Sequence, residues 1–76
     1  MNETEAAKLL RASYDEAEVR LEQTTAIHLF GIRYAEELVG LSLENILKQA
    51  EMPASYKTEI RKGMKLARYV VLRDPT

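Results

Sequence analysis

"SLENILKQAEMPASYKTEIRKG", Ser42 to Gly63, holds two short apolar periodicities separated by a break. Ser42 stands where a side-chain oxygen can cap a first helical turn, and Leu43, Ile46, Leu47 and Ala50 follow on one face. Met52-Pro53 then interrupts the pattern. Proline fixes its own φ and pushes the preceding residue out of the α region, yet it is accepted in a first turn, so the next helix is expected from near Pro53 or Ala54. Its inner face would carry Tyr56, Ile60, Met64 and Ala67. Gly63 beside that face can end the helix as a C-cap, or lie within it at about 1 kcal/mol relative to alanine. Because "YVVLR", Tyr69 to Arg73, is β-branched and aromatic, the preferred reading is a stop at Gly63 and a short extended segment after it.

Upstream, Thr24 to Val39 places Ile27, Phe30, Gly31, Tyr34, Ala35 and Leu38 on one helical face and is the strongest core candidate. Thr24 or Thr25 would cap it, and Gly40, tolerant of positive φ, would stop it. Gly31 inside it would permit the close approach of another helix. Glu3 to about Val19 forms a further helix with Ala6, Leu10, Ser13 or Tyr14, Ala17 and Leu21 at helical spacing. That narrow stripe, interrupted by small residues, suits packing against a neighbour rather than a central core position. The expected fold is all-α, a compact bundle of four helices in one domain, residues 1–76, with an N-terminal helix within residues 1–20 and a helix-turn-helix-like unit at 42–63.

Ser42 to Gly63 resembles the helix-turn-helix of phage-repressor and Cro-type regulators. The resemblance rests on the Ser-capped first helix with Ile46, Ala50 before the turn, Met52 within it, Ser55-Tyr56, Ile60 as anchor and the closing Arg61-Lys62-Gly63. The longer stretch from "TTAIHLFGIRYAEEL" through "RKGMKLARYVV" is similar to small bacterial proteins described as helix-turn-helix-like. In that family a short turn holds the second helix so that its N-terminal residues enter the major groove. The resemblance implies Ala54, Ser55 and Glu59 at base-facing positions and Lys62 near the phosphates. This chain departs from the pattern at Leu47, where a small residue is usual, at Glu51, where glycine is, and at Lys57, where an apolar residue is. Together these departures imply a turn of different geometry, with Tyr56 supplying the packing absent at Lys57.

The net charge of −1 conceals a polarised chain. Met1 to Glu22 carries −3, whereas Lys57 to Thr76, with Lys57, Arg61, Lys62, Lys65, Arg68 and Arg73 against Glu59 and Asp74, carries +4. If the helix extends through Lys65, then Lys57, Arg61 and Lys65 align as one cationic ridge beside Lys62 and Arg68. Such residues supply phosphate affinity without sequence information. No cysteine is available for a disulfide or a thiolate metal site, so a homodimer is the expected support for so small a core. The acidic N-terminus lacks a signal-peptide pattern and no apolar run reaches membrane-spanning length, so a cytoplasmic location is expected.

Chemically competent clusters are not apparent. His28 is the only histidine, flanked by Ile27 and Leu29, and reads as a partly exposed helix residue. Neighbouring carboxylates such as Glu36-Glu37 point about 100° apart and cannot share a face as an acid/base dyad. Tyr14, Tyr34 and Tyr56 sit at core spacing, leaving Tyr69 alone beside bases. No enzyme, cofactor or metal is expected. The function read from the sequence is a small regulator binding double-stranded DNA, with Lys57, Arg61, Lys62 and Lys65 for affinity and Ser55 and Thr58 for selectivity. The alternative is a non-enzymatic module on the same scaffold that docks a protein partner.

Overall fold

The N-terminal helix α1, Glu3–Glu18, begins on a reciprocal cap. The Asn2 side chain accepts from the Glu5 N–H at 2.8 Å, and the Glu5 carboxylate accepts from the Asn2 N–H at 3.1 Å. A computed structural model describes residues 1–73; Asp74 to Thr76, the end of the expected domain and of its basic segment, lie outside the described residues. Contrary to the expected peripheral packing, α1 contributes Ala6, Ala7, Leu10 and Ala17 to the core. The small residues let the helix lie close to its neighbours. Leu21, by contrast, leaves the stripe altogether and is 85% exposed.

Leu21 ends α1 in the left-handed region, at φ 56°. Its N–H donates to the Glu18 carbonyl at 3.0 Å and the Glu22 N–H to the Ala17 carbonyl at 3.1 Å, the paired bonds of a Schellman turn. Glu22 then serves as the N-cap of α2, Gln23–Arg33, with no side-chain capping bond. The turn feeds one helix into the next, which is why neither Thr24 nor Thr25 is needed as a cap. A leucine in this conformation bears a penalty of about 1–2 kcal/mol that glycine avoids, against a glycine entropy loss of about 0.5–1. Leu21→Gly is therefore expected to stabilise the domain by about 0.5–1 kcal/mol, read as a higher urea midpoint with an unchanged slope. An equal or lower midpoint would contradict the strain assigned to Leu21.

The single helix expected over Thr24 to Val39 is two helices, α2 and α3, Ala35–Leu38, which raises the count among the described residues to five. Tyr34 makes the bend with φ −110° and ψ 22°. The bend sacrifices little, because the Tyr34 N–H still reaches the Phe30 carbonyl at 3.0 Å and the Leu38 N–H the Tyr34 carbonyl at 2.9 Å. The rings of Phe30 and Tyr34 pack at 5.2 Å across it. Beyond α3, Gly40 takes φ 86° and turns the chain toward Ser42.

Ser42 caps α4, Leu43–Gln49, by accepting from the Asn45 N–H at 3.1 Å. The final helix, α5, Tyr56–Leu66, packs chiefly on α2. Gly63 does not stop it. Helix α5 crosses α2 with Gly63 facing Gly31, and a Cβ on either glycine would fall inside contact distance of backbone on the other helix. Gly31 therefore permits the close approach expected of it, and Gly63 is its counterpart rather than a cap. After Leu66 the N–H groups of Tyr69 and Val70 both reach the Leu66 carbonyl, at 2.8 and 3.0 Å. The extended segment expected at Tyr69 to Arg73 thus starts inside a turn, and no strand occurs among the described residues.

Leu10, Ile27, Leu38, Ile46, Leu47 and Ile60 are sealed from solvent where the helices meet. Each contributes about 1.5–3 kcal/mol by burial. No helix among the described residues is long and apolar enough to cross a membrane.

Candidate nucleic-acid interface

Helices α4 and α5 with their connection occupy the stretch 42–63 and run on to Leu66, with α1 packed against α4. The Glu3 carboxylate accepts from the Ser42 N–H at 2.7 Å and from the Asn45 side-chain amide at 2.5 Å, so the start of α1 caps the start of α4. Those bonds, the backbone one foremost, hold the Glu3 carboxyl below the usual glutamate value. Further along α1, an Arg11 N–H donates to the Ala50 carbonyl at 3.4 Å, and the Tyr14 ring lies 6.1 Å from that of Tyr56. The Tyr56 phenol is pushed up by its hydrogen bond with Tyr14 and by partial burial. Tyr56 thus does supply packing at the start of α5.

The connection runs over residues 50–55, longer than the three or four residues usual between such helices. Glu51 occupies it at φ 57° in a second Schellman turn, with the Met52 N–H donating to the Leu47 carbonyl at 2.9 Å. Here the glycine of the repressor pattern is replaced without a change of backbone region. Met52 is folded inward, and Leu47 is a core residue. Helix α5 starts at Tyr56, not near Pro53 or Ala54, because the residues after Pro53 form a turn first. Ser55 is consequently the exposed residue before α5, with a side chain that makes no capping bond.

Ile60 and Gly63 face the core from α5, while Thr58, Arg61, Lys62 and Lys65 are exposed on the opposite side with Ser55 just ahead of them. This brings five of the six nominated residues onto one surface. Lys57, the sixth, is half-buried, and its Nζ donates to Glu44 at 2.8 Å. That bond, followed by the Lys57 charge and the more distant Arg61, lowers the Glu44 pKa. The cationic ridge therefore begins at Arg61.

Against this geometry, a family model for the HTH-like domain, a helix-turn-helix-like unit, matches residues 2–73. The chain belongs to the HTH-like domain family. No curated protein and no solved structure matches it. The family region takes in α1 and the end of α5, and so includes every element that buttresses the α4–α5 unit of this HTH-like domain.

One pairing in the HTH-like domain escaped the sequence. His28 on α2 donates through Nε2 to Glu59 on α5, and Lys62 reaches the other Glu59 oxygen at 3.4 Å. Glu59, base-facing by resemblance, is instead half-buried and engaged between helices. The two residues are separated by 31 positions, and no local pattern links them. The His28 hydrogen bond, followed by Lys62, holds the Glu59 carboxyl below its ordinary 4.5. A depressed carboxylate stabilises the fold above its unfolded value and loses that contribution as pH falls through its folded value. Glu59→Gln should accordingly melt below the wild type at neutral pH, with the gap closing as the pH falls below 4.5; a gap independent of pH would dissociate Glu59 from His28. No group of three or more metal-binding side chains occurs among the described residues.

Proposed function

We propose that this HTH-like domain binds duplex DNA in the manner of the repressor-type helix-turn-helix, as a small cytoplasmic regulator with α5 in the major groove. The observation that carries the reading is the outward face of α5, where Ser55, Thr58, Arg61, Lys62 and Lys65 are exposed and Glu59, in contact with Lys62, is held at the margin by His28. Arg61, Lys62 and Lys65 bind phosphates. Ser55 and Thr58 make the base contacts, which for hydroxyls discriminate weakly, so affinity exceeds selectivity. Lys57 joins the phosphate contacts only by exchanging its Glu44 partner.

Fluorescence anisotropy with random duplex DNA at two salt concentrations tests the reading. Affinity that falls steeply with salt supports it, and absence of binding at low salt overturns it. A second reading, a module that docks an acidic protein on the same face, is favoured by the long 50–55 connection and by the engagement of Lys57. In that case a partner chain, and not DNA, would protect α5 from proteolysis.

A further inference from the structure

Helix α3 and the segment after α5 enclose an apolar groove whose floor is Ile32, Met64 and Ala67. Val39, Val70 and Val71 rise from its edges, 72%, 45% and 95% exposed. An apolar patch of this kind marks an interaction site when it is rimmed by polar residues. The rim is polarised. Arg33, Glu36 and Glu37 stand on the side of α3, which is net acidic, and Arg68 stands on the other. Among the described residues Arg68 has no carboxylate within ion-pair distance, its one contact being the Tyr69 ring at 5.8 Å.

We infer that this groove binds a second copy of the same chain. A two-fold interface requires one patch to be complementary to itself, each residue i meeting j while j meets i. A groove with acids on one edge and a base on the other satisfies that condition. Rotating one copy onto another sets Arg68 of each against Glu36 and Glu37 of its mate, while Val39, Val70 and Val71 close over the shared floor. A single acidic rim would equally suit a basic partner, and a single basic rim an acidic one. Edges of opposite net charge, flanking one apolar floor, match the self-complementarity that a second copy of the chain requires.

The inference is independent of DNA binding and is tested without DNA. Sedimentation equilibrium of the full chain at micromolar concentration is expected to give twice the 8.7 kDa mass of one copy. Val71→Asp should return it to a monomer with an unchanged circular dichroism spectrum, since this side chain is almost fully exposed. The paired change Glu36→Lys with Glu37→Lys should be monomeric, and so should Arg68→Glu. Mixing those two variants should restore a dimer, because each then offers the other the opposite charge. A monomeric wild type, a dimer that survives Val71→Asp, or reversed-charge variants that remain dimeric alone would each overturn the proposal.

Discussion

Alanine at position 63 is expected to destabilise this domain by about 1–3 kcal/mol, although alanine is the better helix former by about 1 kcal/mol. An added Cβ would press on the His28 carbonyl and stand 3.0 Å from Gly31 Cα. These are backbone atoms, which cannot swing aside as a side chain does. Relief requires α5 to lift from α2, the most extensive helix pairing in the molecule, and with it Ile60 from the core. Overpacking of this kind costs about 1–3 kcal/mol and occasionally more. In a chain this small, with stability of about 4–11 kcal/mol, the melting temperature should fall by roughly 10–20 °C at the upper end of that range. Gly31→Ala should behave alike, since its Cβ meets the Ile60 carbonyl. A melting temperature at or above the wild type for either variant would refute the crossing, because propensity alone would then decide the sign.

The second large effect concerns binding. Simultaneous Arg61→Ala, Lys62→Ala and Lys65→Ala should abolish most DNA affinity while leaving the melting temperature within a few degrees. These side chains are exposed and face away from the core. Lys62 alone has a described ion pair, a weak one with Glu59 at 3.4 Å. Each lost phosphate contact lowers the slope of log affinity against log salt by about 0.9, so three should lower it by roughly 2.7. Ser55→Ala with Thr58→Ala should leave that slope unchanged and flatten whatever sequence preference a selected site shows. A triple variant that binds with the wild-type slope would remove α5 from the interface.

The contrast between these two faces explains what the sequence could disclose. Leu43, Ile46, Leu47 and Ile60 are legible as core because helical period is a local property, and Ser42 as a cap because its partner is three residues away. The exposed face of α5 follows from the same spacing. Tyr34 is another matter: nothing at that position breaks helices, and the bend depends on packing against Phe30 within a folded core. Gly63 has two local meanings, cap or contact, and only a residue on a distant helix decides between them. The pairings around the candidate site were hidden for the same reason. Lys57 and Glu44 are 13 residues apart, and His28 and Glu59 are 31 apart, so the removal of one lysine and one glutamate from the reading surface is written in tertiary structure alone.

The crossing of α2 and α5 at bare backbone also separates attachment from recognition. Helix α5 is anchored on its inner side by Gly63 against Gly31 of α2, by Ile60 and by the packing of Tyr56. Positions 55, 58, 61 and 65 carry no described side-chain bond, and position 62 only the weak pair with Glu59. Varying them among residues other than proline and glycine would leave the parent architecture in place, so the 76-residue chain can tolerate a library of surfaces on one fixed helix.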